Sequence, residues 1–301
     1  MAAWLVARPL NAVVALAVSV AFASVPALSH MAAVSSIVLI AVALHDGLKL
    51  AVIKLASAAL LAVGVGMIAG ISPVLIVSGA ATVWLPAMLL ATLLTVTRSL
   101  TLTLQLSVIL AVIVLLVFLA AIGDAVAFWE EFLVAMVKVW RDTGQGELAD
   151  LVEPQMAAIA EYATMAVVMA SWLIQAISLA LGYALYRLMP GDIADYGRFR
   201  RLDFGRVIAM TMAVASVLTM FVNAVWLQSV AIIMFAAFWL QGLAVVHWMH
   251  ARGILQMFGI IATYALMLVA GWFVMPALAV FGYTDAWFDF RRMLRQRKKQ
   301  D

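Results

Sequence analysis

Among the polar side chains inside the apolar stretches of the sequence, Gln175, Gln241 and His247 are the candidates for binding a ligand. An amide or imidazole group in hydrocarbon needs a hydrogen-bond partner, because no water is present there to replace it. That partner is either another helix of the protein or a bound polar ligand. We interpret the three residues as candidate ligand-binding groups, and interhelical hydrogen bonding is the competing interpretation.

The sequence lacks the residue patterns of most catalytic sites. Its 301 residues include no cysteine, which excludes disulfides, thiolate nucleophiles and cysteine-ligated metals. It contains neither a P-loop nor a His-Glu-x-x-His zinc motif. His247 and His250 are three residues apart, but no third metal ligand accompanies them. We therefore predict that the protein is not an enzyme and that it uses no cofactor and no metal.

Acidic residues are missing from the middle of the apolar stretches. Asp46, Asp124, Asp285 and Asp289 all fall at the ends of these stretches. The sequence therefore predicts that no carboxylate is buried in the membrane. A proton-driven antiporter needs titratable groups along its pathway, so this pattern disfavours that class of transporter.

The elements that position these residues must be membrane helices. Hydrophobic residues make up 67% of the chain and charged residues 11%, whereas soluble domains contain about 45–50% and about 25%. A spanning helix needs about 20 apolar residues. We predict an all-α fold, a polytopic transmembrane bundle of about 8–10 helices that forms a single domain over residues 1–301. The apolar runs are 10–28, 31–44, 48–70, 73–96, 101–123, 161–188, 206–226, 228–249, 254–270 and 272–286.

The basic residues predict the orientation, because cytoplasmic loops are enriched in Lys and Arg. With the N-terminus inside and ten spans, all of the 18 Lys and Arg residues except Lys138 and Arg141 lie on the cytoplasmic side. The last two runs could instead be one helix bent at Pro276, but the basic tail would then lie outside. We favour a hairpin, and we predict a bacterial inner-membrane protein with both termini in the cytoplasm.

Three segments lie outside the predicted spans. The external loop 124–160 is acidic, and Phe128–Arg141 within it carries an aromatic stripe at helical spacing. We expect an amphipathic helix on the membrane surface, acting as a lid over an outward-facing cavity or as an interfacial anchor. The cytoplasmic loop 189–206 is rich in arginine and is expected to lie against anionic headgroups, with docking of a cytoplasmic protein as the alternative. The third segment is the cytoplasmic tail, 287–301.

Small residues recur at every fourth position of the first apolar run. Ala15, Ser19 and Ala23 share one helix face. Such spacing lets two helices approach closely in lipid. We interpret this stripe as a contact for a partner membrane subunit, and packing within the chain is the alternative.

The C-terminal stretch concentrates acidic, aromatic and basic residues. Asp285 and Asp289 are four apart and would share a helix face, and Arg292 could pair with Asp289 three residues earlier. Trp287 suits the headgroup region. Together with Arg291, these residues form a second predicted partner contact. The alternative is an interfacial helix end that only fixes the topology.

Two segments resemble the YybS-like family of predicted bacterial membrane proteins. The ending GYTDAWFDFRR, residues 282–292, resembles that family's Gly-x-x-Asp-x-x-Phe-Asp-Phe-Arg ending. The run QGLAVVH, residues 241–247, is similar to its Gln-Gly-Leu-hydrophobic-x-x-His segment. The loop departs from the family, because GRFRR at 197–201 follows no Pro-rich stretch. The resemblance implies a distant relation to the substrate-binding (S) components of energy-coupling-factor transporters and to the rod-shape protein MreD.

Two functions follow as hypotheses. The first is a small-solute-binding or transport subunit like an S component, which holds a small-molecule ligand through Gln175 and Gln241 and works with other membrane or cytoplasmic subunits. The second is a non-enzymatic, MreD-like membrane scaffold for envelope or cell-shape machinery. Both place the chain in the lipid bilayer, and neither involves nucleic acid.

Overall fold

The computed structural model describes residues 2–23, 30–68, 70–222 and 224–292. Parts of the predicted elements at 24–28, 69, 223 and 293–301 lie outside this range. The described residues form helices and no strand, so the all-α prediction is confirmed. The α-helices are α1 Ala2–Ala7, α2 Pro9–Ala23, α3 Met31–Asp46, α4 Leu48–Ile68, α5 Pro73–Thr97, α6 Leu100–Ile122, α7 Ala125–Asp142, α8 Gly146–Val152, α9 Met156–Tyr186, α10 Gly205–Leu218, α11 Val225–Ala251 and α12 Met257–Phe288.

Six segments of the described chain are long and apolar enough to cross a membrane. They are α4, α5, α6, the continuous stretch Gly146–Tyr186 that ends with α9, α11 and α12. Helices α2, α3 and α10 are also apolar but shorter. The apolar helices therefore agree with the predicted polytopic bundle. The chain is a multi-pass membrane protein.

The final helix contains a break near its middle. Helix α12 runs from Met257 to Phe288, and only Ala270 departs from helical backbone angles, with φ −131° and ψ 39°. The break lies where the sequence separates its last two apolar runs, so two helical segments meet at Ala270. Pro276 lies within the helix and is not the break. The break agrees with the predicted boundary between the last two apolar runs, and the hairpin itself stays a prediction.

The amphipathic segment between α6 and α9 is helical, as predicted. It forms α7, whose first turn is capped by the Asp124 carboxylate accepting the Ala127 N–H at 3.0 Å. The Trp129 indole N–H donates to the Thr164 hydroxyl at 2.7 Å, which fixes α7 against α9. Leu133 of its apolar face is buried. Its role as a lid or as an interfacial anchor stays a prediction.

The helices form two compact units. The first comprises residues 1–104 and 173–199, and the second comprises residues 105–172 and 200–301. Helices α6 and α9 contribute residues to both units.

In the first unit, α3 lies at the centre. Helices α2 and α5 pack on it, and almost every residue from Ser35 to Leu44 is buried. Helix α9 also approaches α3 closely, because a Cβ at Gly182 would lie 2.9 Å from the Ile37 carbonyl oxygen. Trp84 of α5 donates its indole N–H to the Ser35 hydroxyl at 2.8 Å. Small side chains on α3 and α9 therefore allow this close packing.

In the second unit, α11 lies at the centre and is mostly buried. Its contact with α12 reaches the backbone, because a Cβ at Gly242 would clash with the Leu278 carbonyl group. Conversely, a Cβ at Gly282 would clash with the Phe238 carbonyl oxygen. Small residues at such crossings let membrane helices pack by close van der Waals contact. The two glycines therefore set the distance between α11 and α12.

We predict that Gly242→Ala and Gly282→Ala each destabilise the fold. The added methyl group must displace the backbone of the facing helix, which costs about 1–3 kcal/mol. The melting temperature of the protein in mild detergent, followed by tryptophan fluorescence, should therefore fall. Gly64→Ala is the matched control, because Gly64 is also helical but a methyl group added there would have no described atom within 4 Å. Equal melting temperatures for all three variants would contradict the close approach.

Candidate functional site

The second unit contains a buried polar network centred on Gln241. The Gln241 side chain has no exposed surface. Its amide oxygen accepts the backbone N–H of Phe204 at 2.7 Å, and its amide nitrogen donates to Oδ2 of Asp285 at 3.0 Å. One amide therefore links α11 to the start of α10 and to α12. Both ends of the predicted ligand-binding amide are occupied by groups of the protein.

Asp285 and Arg291 form a buried ion pair. Arg291 Nη2 lies 2.7 Å from Asp285 Oδ2, and the two side chains are 8% and 0% exposed. Arg291 Nη1 also donates to the Arg200 carbonyl oxygen at 3.4 Å. The second carboxylate oxygen, Oδ1 of Asp285, has no hydrogen-bond partner among the described residues. The prediction that no carboxylate is buried is wrong, because Asp285, although near the end of α12, is enclosed by Gln241 of α11 and by Arg291.

The backbone at Asp289 explains how this pair forms. Asp289 ends α12 in the left-handed conformation, with φ 46° and ψ 57°. This turn brings Arg291 back towards the helix and its partner Asp285. Arg292 stays exposed, and it contacts Asp289 through its backbone N–H, 3.2 Å from Oδ1, rather than through an ion pair. The pairing expected from helical spacing fails because the helix has already ended.

The residues of the predicted C-terminal partner contact therefore fall into a buried group and an exposed group. Asp285 and Arg291 are buried, whereas Asp289 and Arg292 are exposed. Trp287 is half-buried, and its carbonyl oxygen accepts from the guanidinium of Arg206 at 3.3 Å, on the first turn of α10. The outward-facing members remain available to a partner, and their role stays a prediction.

His247 is also bonded within the second unit. Its Nε2 lies 2.9 Å from the hydroxyl oxygen of Tyr264, on the first half of α12. The two rings are 6.0 Å apart. His247, which the sequence indicates as a ligand-binding residue, thus joins α11 to α12. The contact lies near the loop that connects the two helices.

Gln175 belongs to a different polar cluster, in the first unit. It is 7% exposed, and its amide nitrogen donates to the Val83 carbonyl oxygen at 3.1 Å. The Ser36 hydroxyl donates to the same carbonyl oxygen at 3.4 Å. The amide oxygen of Gln175 is buried and has no hydrogen-bond partner in the described part of the chain. In this respect Gln175 differs from Gln241, whose amide is bonded at both ends.

Two serines of this cluster are absent from the sequence-based predictions. Ser35 and Ser36 are both fully buried in α3. Adjacent hydroxyl groups in the middle of an otherwise apolar run, 31–44, are the signal that could have identified them. Because serine costs little in a membrane helix, hydropathy alone does not single it out.

The predicted small-residue stripe on α2 is partly used inside the first unit. Ser19 is buried, and its hydroxyl donates to the Ala15 carbonyl oxygen at 2.7 Å. Ala15 is half-buried, and the side chain of Ala23 lies outside the described residues. Helix α2 packs on α3 and α4. A contact with a partner subunit through this stripe stays a prediction.

Comparisons with known proteins identify no relative of this chain. No family model, curated protein or solved structure matches this chain. The resemblance to the YybS-like family therefore stays a prediction. Among the described residues, no group of three or more His, Asp or Glu side chains is placed to hold a metal ion.

We predict that Gln241→Leu lowers stability by at least about 2 kcal/mol. The substitution leaves the buried Phe204 N–H without an acceptor and removes a donor from Asp285, and each unsatisfied group costs about 1–3 kcal/mol. Gln155→Leu is the control, since Gln155 is exposed, and it should change stability by less than about 0.5 kcal/mol. Yield and melting temperature in mild detergent measure both. A Gln241→Leu protein as stable as wild type would instead indicate that Gln241 serves a ligand.

We predict that Arg291→Met destabilises the protein by about 3–5 kcal/mol, because it leaves a buried carboxylate without its counter-ion. Arg292→Met, at the exposed neighbouring position, should have almost no effect. The double variant Asp285→Asn with Arg291→Met should recover part of the loss, since it removes both charges. Melting temperatures of wild type, Asp285→Asn, Arg291→Met and the double variant form a double-mutant cycle that measures the coupling. A coupling energy near zero would show that the pair does not stabilise the fold.

Proposed function

We propose that this chain is a small-solute-binding or transport subunit of a bacterial inner membrane, with both termini in the cytoplasm. In this proposal it is not an enzyme, and it resembles an S component in its role. The solute binds in the first unit, at the cluster around Gln175. The proposal is supported above all by the buried amide oxygen of Gln175, which has no hydrogen-bond partner among the described residues.

A buried amide oxygen without a partner costs free energy. In proteins the penalty is about 1–3 kcal/mol, and in a membrane bundle no bulk water reduces it. Gln175 nonetheless lies on α9 among the tightly packed helices of the first unit, 7% exposed. A solute with an N–H or O–H group would satisfy this acceptor. The site therefore favours a polar solute that carries a hydrogen-bond donor.

The surroundings of Gln175 are polar in a way that suits such a solute. Ser36 of α3 and Gln175 of α9 donate to the same carbonyl oxygen, that of Val83 on α5. Ser178, one turn after Gln175, is buried, and its hydroxyl oxygen lies 3.5 Å from the Ala33 carbonyl oxygen. Three helices thus contribute polar groups at one level.

Energy for transport would come from partner subunits. The sequence contains no P-loop, so ATP hydrolysis would take place on another chain. The candidate docking surfaces are the exposed C-terminal residues Asp289 and Arg292 and the small-residue face of α2. This division of labour is the one that the resemblance to S components implies.

A second candidate function is a non-enzymatic membrane scaffold for envelope or cell-shape machinery. It is favoured by the second unit, in which Gln241 is bonded at both ends and α11 packs on α12 at backbone distance. Such a filled bundle supplies a rigid surface rather than a binding site. Under this hypothesis the protein acts through its exposed faces.

The proposal is tested by identifying the small molecules that the purified protein retains. Wild type, Gln175→Met and the exposed control Gln155→Met are purified in mild detergent and denatured, and the released molecules are measured by mass spectrometry. A solute enriched with wild type should fall about two- to tenfold in Gln175→Met, because one hydrogen bond contributes about 0.5–1.5 kcal/mol. Gln155→Met should retain it fully.

The outcome also separates the two functions. Gln175→Met should melt no lower than wild type without solute, since Val83 keeps its bond from Ser36. No enriched solute, or equal retention by Gln175→Met, would overturn the binding site. Co-purifying envelope-synthesis proteins without a solute would favour the scaffold.

A further inference from the structure

The loop that follows α9 is held in place by Tyr196. Its carbonyl oxygen accepts the backbone N–H of Leu100 at 2.8 Å, at the start of α6. Its own N–H donates to the hydroxyl oxygen of Tyr183 at 2.7 Å, in the last turn of α9. The N–H of Ala194 likewise donates to the hydroxyl of Tyr186 at 2.9 Å. These bonds attach the loop to the ends of two membrane helices.

Asp195 uses its carboxylate inside this loop. Oδ1 accepts from the Gly197 N–H at 3.0 Å and lies 3.2 Å from the Tyr183 hydroxyl. The Gly197 N–H, together with the Tyr183 hydroxyl and the nearby positive charges of Arg187 and Arg198, holds the pKa of Asp195 below its ordinary value. The carboxylate is therefore ionised at neutral pH, and it bonds the Gly197 N–H and the Tyr183 hydroxyl.

Three exposed arginines surround Tyr196. Arg98 lies two residues before Leu100, and Arg198 lies two residues after Tyr196. The guanidinium carbon of Arg187 lies 5.9 Å from the centre of the Tyr183 ring. None of the three forms a salt bridge within the described residues. The three guanidinium groups are therefore exposed and open to an anion.

The backbone at Arg98 is unfavourable for arginine. Arg98 has φ 51° and ψ 26°, the left-handed conformation that glycine and asparagine adopt at lower cost. Such a position persists where the surrounding structure determines it, and here the Arg98 N–H bonds the Leu94 carbonyl oxygen as the C-cap of α5. Here the conformation ends α5 and places a guanidinium beside the Tyr196 loop.

The arginines also lie where the apolar helices stop. Helix α5 ends at Thr97, directly before Arg98, and α9 ends at Tyr186, directly before Arg187. Both helices are candidate membrane spans. Leu188, next to Arg187, is 74% exposed. The apolar helices match the acyl chains of a phospholipid, and the guanidinium groups at their ends match its headgroup.

We propose that Arg98, Arg187 and Arg198 form a binding site for the phosphate group of an anionic phospholipid. Guanidinium groups bind phosphate oxygens through paired, charge-assisted hydrogen bonds. Basic pockets between membrane helices bind anionic lipid headgroups in this way. The site is independent of the solute cluster around Gln175, and it would fix the loop and the ends of α5 and α9 relative to the bilayer surface.

The experiment measures the melting temperature of the full-length protein in neutral detergent with added dioleoylphosphatidylglycerol. Wild type should melt several degrees higher with this lipid, and it should not respond to dioleoylphosphatidylcholine or to inorganic phosphate. The triple variant Arg98→Asn, Arg187→Gln and Arg198→Gln should lose at least half of the shift. A triple control, Lys49→Gln, Lys138→Gln and Arg252→Gln, removes three exposed positive charges elsewhere and should keep it.

One single variant separates lipid binding from folding. Arg98→Asn removes the guanidinium while suiting the left-handed backbone, so its melting temperature without lipid should equal or exceed that of wild type. With phosphatidylglycerol its shift should nevertheless be smaller. An unchanged shift in the triple variant, or an equal loss in the control, would overturn the site. A full shift with inorganic phosphate alone would overturn its assignment to a lipid.

Discussion

The contact between α11 and α12 determines the arrangement of the polar groups in the second unit. Two glycines, Gly242 and Gly282, bring these helices to backbone distance. At that distance the amide of Gln241 reaches the carboxylate of Asp285, and the same amide accepts from the residue that precedes α10. A wider spacing would leave an amide and a carboxylate buried without partners. In lipid, where polar groups must be satisfied within the protein, close helix packing is thus the condition for burying these charges.

The two units handle buried polarity differently. In the second unit, the Gln241 amide is bonded at both ends, and the buried charge of Asp285 has a counter-ion in Arg291. In the first unit, serines and Gln175 share the carbonyl groups of neighbouring helices, and the Gln175 amide oxygen has no partner within the described chain. The arrangement in the second unit resists change, because moving Asp285 or Arg291 would leave a buried charge unpaired. The arrangement in the first unit tolerates exchange of one partner for another, which is what reversible binding requires.

The sequence predicts the helices well and their polar partners poorly. Hydropathy and run length locate the apolar helices because both report directly on a bilayer of fixed thickness. The same pattern indicates that Gln241 needs a partner, but its partners lie 37 and 44 residues away in the sequence. The apolar pattern places Asp285 at a helix end, since an aspartate usually stops an apolar run. Only the left-handed turn at Asp289, a backbone feature without a local sequence signal here, shows how Arg291 returns to neutralise it.

The position of this turn has a consequence for how the protein is made. Membrane helices enter the bilayer in the order of synthesis, and α12 carries Asp285 close to its end. Until residue 291 has left the ribosome, that carboxylate has no counter-ion. Retention of the last helix in the membrane is therefore coupled to completion of a short segment beyond it. A chain that ends before residue 291 would contain all the helices of the described range and yet hold Asp285 without its counter-ion, at a cost of about 3–5 kcal/mol.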